Sequence, residues 1–325
     1  MNLDSIKKMD KGELHVHLNG LVSTKVIRKM IQSELCEIPK NFDLSVDLNV
    51  LRPAQSLVEY LRPWQVLRLI PRNRGHLRLI VESAFENLKA DSVSFVEIRN
   101  SVIYIASLNN ISVDKALFWL IEEIENASYK YEIKAGLILT VSRGSSANEH
   151  LEILLRAYRK LRFPKCVIGL DLAGNEDTDS PKETARSFLK AKSEYGLKLT
   201  IHAGETGNCE NIRKAIIEFG ADRIGHGTAA SKSDEVMGLL KDRDICLEVC
   251  PISNRLTKAV GEYEDHPVKT FIANDVPFVI CSDNPAIHAS SLSFDYYRFL
   301  CETNSEQHLR DMYLNQKKYS FLERI

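Results

Sequence analysis

Eight short apolar runs recur along the chain, each separated from the next by enough residues for a helix. They are ELHVHL (13–18), SVSFVEIRN (92–100), KAGLILTVS (134–142), KCVIGLDLAG (165–174), LKLTIHAGE (197–205), DRIGHGT (222–228), ICLEVCPIS (245–253) and PFVICSDNP (277–285). Most are nearly continuous in apolar residues, the pattern of strands buried on both faces of a parallel sheet. The stretches between them carry helix signals. In SPKETARSFLKAKSEYG, Ser180 reads as an N-cap, Pro181 as the first helical position and Glu183 as completing a capping box, with Gly196 as the stop. In SVDKALFWLIEEI, Ser112 is the cap, and Val113, Ala116, Leu117, Leu120, Ile121 and Ile124 fall on one helical face. Strand–helix alternation repeated eight times predicts an α/β fold, a single (β/α)8 TIM barrel over residues 1–325, with a doubly wound open sheet as the alternative. LRPAQSLVEYLRPWQVLRLI (51–70) is extra helical material after strand 1, expected to lie as a lid over the barrel's C-terminal mouth.

The charge balance sets limits on partners. With 43 basic and 44 acidic residues in 325 there is no broad basic surface for a nucleic-acid polymer or a membrane. No apolar run approaches the roughly 18 residues of a membrane-spanning helix. The seven cysteines are scattered without a CxxC pair, which argues for reduced thiols rather than a disulfide framework. MNLDSIKKMD has no apolar signal region, so a cytoplasmic location is expected.

Polar residues cluster at the C-terminal ends of the apolar runs: His15 and His17, Glu97 and Arg99, Arg143, Asp171 and Gly174, His202 and Glu205, His226, Asp283 and Asn284. In a barrel those ends converge on one face, where active sites form. His15 and His17 have strand spacing, so both side chains point to one side. With His202 and Asp283 they make three imidazoles and one carboxylate, a set that suits one Zn2+ with a water in the open position. A single histidine of this kind is more often a satisfied core residue, and the convergence of several favours the metal. Glu205, just past the HAGE strand end, is a natural general acid/base where burial raises its pKa, or else a first-turn glutamate facing a helix N-terminus. His226, between two glycines, is placed to orient water or to bond a developing oxyanion, or else is a buried histidine bonded to backbone. Asn-Pro at 284–285 also opens turns. These residues point to a metal-assisted hydrolase or deaminase.

The ordered set ELHVHLNG, FVEIR, GLDLAGNE, HAGE, RIGHGT, EVCPISN and SDNP resembles the adenosine/AMP deaminase family through nearly the whole chain, most of all the branch acting on AMP and N6-methyl-AMP. The resemblance implies a TIM barrel and one catalytic zinc held by His15, His17, His202 and Asp283. It implies that Glu205 shuttles the proton, that His226 orients the attacking water, and that Gly174 offers its backbone to the purine N3 edge. Leu57, Tyr60, Leu61 and Trp64 resemble the family's apolar lid, although a plain packed helix has the same pattern. The H-x-E and P-C-x-x-C signature of the cytosine-type zinc deaminases is absent.

Two positions depart from the family's nucleoside enzymes, which usually read HLDG and often DDP. Asn19 stands where an aspartate would meet a ribose 5′-hydroxyl. Asparagine removes a charge that would repel a 5′-phosphate and adds an N–H donor. Ser23 and Thr24, with Lys25 beside them, and Arg143 are the candidate phosphate contacts. Asn19 is also a residue that tolerates a turn before Gly20. Asn284 replaces an acid that must be protonated to donate to N7, whereas an amide donates without that requirement. The reading is a zinc-dependent deaminase converting AMP, dAMP or an N6-substituted AMP to the 6-oxopurine. The alternatives are an adenosine or deoxyadenosine deaminase, a non-catalytic nucleotide-binding barrel, and a metal hydrolase of amides or phosphate esters.

Overall fold

The computed structural model describes residues 1–34 and 36–323, without the side chains of Leu57 and Val58. Each of the eight apolar runs contains a strand: β1 Lys11–His17, β2 Val93–Asn100, β3 Lys134–Ser142, β4 Val167–Ala173, β5 Lys198–Ala203, β6 Arg223–His226, β7 Cys246–Val249 and β8 Phe278–Ile280. They lie in one sheet in chain order, and every neighbouring pair is parallel. A doubly wound sheet would break that order at a switch point; this one does not. Past the end of β8, Asp283 forms a parallel bridge with Val16 of β1. The His17 N–H donates to the Asp283 carbonyl at 3.0 Å, and the Asp283 N–H to the His15 carbonyl at 2.9 Å. The sheet therefore curls until its last segment meets its first, consistent with the expected TIM barrel. Helices Arg74–Ala90, Val113–Tyr131, Ala147–Lys160 and Glu183–Tyr195 pack side by side along the chain.

Local signals hold with one correction. The helix expected from Ser180 begins at Glu183, with Lys182 at the cap position and no side-chain cap. The Ser180 hydroxyl is occupied elsewhere, accepting from the Gly144 N–H at 3.4 Å. Gly196 ends that helix at φ 69°. Ser112 occupies its cap position without a side-chain cap bond. On the helix that follows, Ala116, Leu117, Leu120, Ile121 and Ile124 are buried as the spacing required. Segment 51–70 forms two single turns, Leu57–Tyr60 and Trp64–Leu67. All seven cysteines are free. Among the described residues no helix is long and apolar enough to cross a membrane.

The interior of the sheet is charged at its floor. Arg223 donates through Nη2 to Glu97 and through Nε to Glu248 at 2.7 Å, and all three side chains are buried. Glu97 was expected at the mouth with Arg99. Strand periodicity turns both inward but at successive levels, so Glu97 belongs to the floor and only Arg99 reaches the cavity above it. Arg223→Ala would strand two buried carboxylates, and a loss of about 3–5 kcal/mol in urea denaturation is expected. A loss below about 1 kcal/mol would show that the floor does not depend on this pairing.

Candidate active site

A cavity of about 910 Å³ opens at the C-terminal ends of the strands. His17, Asn19, Gly174, His202, Glu205, His226, Asp283 and Asn284 line it, together with Tyr60, Leu61, Trp64 and Arg68 of the segment after β1. His15 lies beneath, fully buried. Its Nδ1 is 2.8 Å from Glu248 Oε2, and its Nε2 has no protein partner. His202 is anchored the same way, Nδ1 lying 2.8 Å from Asp171 Oδ1. A carboxylate accepting from Nδ1–H keeps the proton on that nitrogen and leaves the Nε2 lone pair facing the cavity.

Those lone pairs converge. His17 Nε2 is 3.3 Å from His202 Nε2 and 3.5 Å from Asp283 Oδ1, and His15 Nε2 is 3.7 Å from the same oxygen. Burial, with Arg99 nearby, pulls His15, His17 and His202 well below the usual histidine range, so all three are neutral. Neutral imidazole is the form that ligates a metal. An orphaned buried Nε2 beside two further imidazoles and a carboxylate oxygen is a donor set that fits one zinc-like divalent ion. The second Asp283 oxygen accepts from Ser253 Oγ at 2.6 Å, which keeps Oδ1 turned towards the histidines.

His226 also lies close to His15 and His202, but its nitrogens are engaged differently. Asn254 Nδ2 donates to His226 Nδ1 at 3.1 Å, and His226 Nε2 lies 3.7 Å from Glu205 Oε2. The glycine before it is required by packing: a Cβ on Gly225 would sit 3.0 Å from His15 Cε1. Glu205 follows β5 into the cavity wall. Desolvation pushes its carboxyl up to about 7; a hydrogen bond from Thr257 opposes this and the charge of Glu176 adds to it. A carboxyl titrating near neutrality, within reach of an imidazole and a metal-type cluster, is equipped to give and take a proton.

The adenosine deaminase family profile matches residues 10–324. The chain belongs to the adenosine deaminase family. It is a purine deaminase, a hydrolase. It is 32% identical over 305 residues to the adenosine deaminase of Clostridium kluyveri, covering 91% of this chain and 85% of that protein. To the adenosine deaminase of Clostridium botulinum strain 657 it is 29% identical over 321 residues, covering 98% and 96%. Three crystal structures share the fold. They are an adenine deaminase from Arthrobacter aurescens (TM-score 0.85, 20% identity, 96% and 94% covered), a Burkholderia ambifaria amidohydrolase with bound Zn (0.86, 18%, 99% and 88%) and the Arabidopsis N6-mAMP deaminase (0.83, 22%, 99% and 96%).

In this purine deaminase the expected phosphate contacts do not reach the cavity wall. Ser23 occupies the cap position of helix Thr24–Ser33, and its N–H donates to Ser83 Oγ at 3.1 Å. The chain turns into that helix directly after Leu21, which carries Ser23 and Thr24 away, and Lys25 is exposed. Arg143 donates through Nη2 to the His202 carbonyl and does not line the cavity. The cations that do line the cavity are Arg68, Arg99, Lys232 and Lys258. The carboxylates Glu248 and Asp171 and the amide Asn254 support the cluster from behind. Asp171 and Asn254 stood inside GLDLAGNE and EVCPISN, but nothing in one chain assigned them partners. Tyr60 was expected only as an apolar lid residue. Its hydroxyl is 3.1 Å from His288 Nε2 and 3.4 Å from Asp283 Oδ2. The Leu57 side chain lies outside the described residues.

If Asp171 orients His202, Asp171→Asn should weaken Zn2+ affinity about 10–100-fold in a chelator competition. Unchanged affinity would remove Asp171 from that role.

Proposed function

We propose that the protein hydrolyses the C6 amino group of an adenine nucleotide, AMP, dAMP or an N6-substituted AMP, to give the 6-oxopurine and ammonia or an amine. In this reading residues 1–325 act as one domain in the cytoplasm on a small purine, with no nucleic-acid polymer involved. A Zn2+ held by His15, His17, His202 and Asp283 would supply Lewis acidity that lowers the pKa of a water to about 7, a nucleophile at neutral pH. Glu205, carboxyl near 7, passes a proton to purine N1 as C6 becomes tetrahedral, which ends the ring's aromatic resistance to attack. With Asn254 on Nδ1, His226 keeps Nε2–H towards the cavity and orients the incoming oxygen. The Gly174 backbone meets the N3 edge, and the Asn284 amide donates to N7. Tyr60, Leu61 and Trp64 cover the base as a lid and limit water.

The observation that carries the nucleotide reading is Asn19 in the cavity wall, where an amide replaces the acid of the family's nucleoside enzymes. Like charges about 4 Å apart cost roughly 1–4 kcal/mol in a partly wet site, so an acid there penalises a phosphate and an amide does not. A second reading, deamination of free adenosine or deoxyadenosine, is favoured by the 32% identity to a clostridial adenosine deaminase. An assay on adenosine, deoxyadenosine, AMP, dAMP and N6-methyl-AMP, with and without chelator, separates them. Chelator-sensitive turnover favouring the monophosphates is expected; turnover of nucleosides alone would leave the second reading.

Two variants probe the roles. Glu205→Gln should keep Zn2+ and fold and lose about 10²–10⁴-fold in kcat; substantial remaining turnover would take the proton transfer away from Glu205. Asn19→Asp should lower kcat/KM for AMP about tenfold more than for adenosine, and equal losses would undo the phosphate argument.

A further inference from the structure

Resting on the nucleotide reading, we propose that the N-terminus of the helix Val102–Asn109, with Ser101 and Thr140, is the subsite for the substrate's 5′-phosphate. β2 lies beside β1, with His17 opposite Arg99. Asn19 and Ser101 thus leave adjacent strands two residues past the same level. Asn100, Ser101, Tyr104 and Ile105 all line the cavity, so the helix's first turn forms part of its wall. Val102 and Ile103, at the first two helical positions, have N–H groups that no helical carbonyl can meet. That end of the helix carries its partial positive charge, and no acidic residue lies in the first turn to neutralise it. Ser101 is the cap residue, yet its hydroxyl makes no cap bond and is free to donate.

An independent observation marks the same wall on the neighbouring strand β3, where Asn100 pairs with Leu139 and Thr140 therefore stands level with Ser101. Thr140, 6% exposed in the same cavity, has a partnerless buried hydroxyl. A buried polar group without a partner is costly and rare in a native fold. Arg68 also lines the cavity, and among the described residues its guanidinium bonds through Nε alone, to the Trp64 carbonyl, which leaves its Nη groups to face a ligand. A ribose 5′-hydroxyl would satisfy one of these donors. A phosphate, with three acceptor oxygens and charge to match the helix, satisfies several.

The test is Ser101→Asp. Aspartate caps a helix as well as serine does, so the fold is kept while an anion is set against the phosphate. The expected result is a kcat/KM for AMP that falls at least tenfold more than that for adenosine. Inorganic phosphate should inhibit adenosine turnover competitively, and its Ki should rise at least tenfold in the variant. Equal falls for both substrates with unchanged phosphate inhibition would overturn the assignment. If the wild-type enzyme prefers adenosine to AMP, the nucleotide reading fails by itself. Phosphate inhibition abolished by Ser101→Asp would then still support an anion subsite here, and its absence in wild type would overturn it.

Discussion

Glu248 is the residue through which the floor of the barrel and its mouth are aligned. Fully buried on β7, it accepts from Arg223, Arg99, Thr200 and the Nδ1–H of His15. Burial would push its carboxyl up, but Arg99 and Arg223 outweigh burial and hold it at about 2. It is therefore an anion at every physiological pH, and the tautomer of His15 is fixed by it. A buried charge is tolerable only when paired on all sides, and here each donor belongs to a different strand. The same bonds that neutralise Glu248 set β1, β2, β5 and β6 in register around it.

The chain's own end completes that arrangement. Phe321 lies over the Arg223 guanidinium, 3.5 Å from its ring centre, and Ser320 Oγ donates to Glu97 at 2.6 Å. Arg223 Nη1 donates to the Tyr319 carbonyl at 2.8 Å. Residues 319–321 thus cap the floor and keep water from the pairs above. Dry surroundings strengthen every interaction in the column, from Glu97 through Arg223 and Glu248 to His15. The imidazole whose Nε2 faces the site is in this way held by contacts made near the end of the chain.

The architecture was legible because buried parallel strands have a signature of their own. Each of the eight runs that read as a strand contains one, and most of the polar residues at their C-terminal ends line one cavity. Period-two alternation brought His15 and His17 to the same side and made their partnership with His202 and Asp283 readable. The same rule could not grade depth along a strand, so Glu97 and Arg99 looked alike although one is floor and the other cavity. The supports of the cluster were illegible for a different reason. That Asp171 meets His202 and Glu248 meets His15 depends on which strands become neighbours and in what register, and no local pattern encodes that. Ser23 and Thr24 are near Asn19 in sequence and not in space. One helical turn and a change of direction separate them from the cavity.

Asparagine at 284 becomes intelligible from its neighbours. Its side chain packs directly on Gly20, where a Cβ would fall 2.0 Å from Oδ1, so the glycine of LNG is there to admit it. Its Nδ2 is 3.4 Å from the Tyr60 hydroxyl, which also touches Asp283, Ser253 and His288. Burial keeps His288 neutral, with its pKa pulled down to about 3, so no cation is at hand to balance more negative charge. An aspartate at 284 would set a second carboxyl beside Asp283 in the same dry pocket, and one of the two would have to stay protonated. The amide keeps the local charge at that of Asp283 alone, and so leaves that carboxylate free to face the histidines. Because Tyr60 belongs to the segment that lines the cavity, one hydroxyl ties that wall of the site to the Asp283 carboxylate.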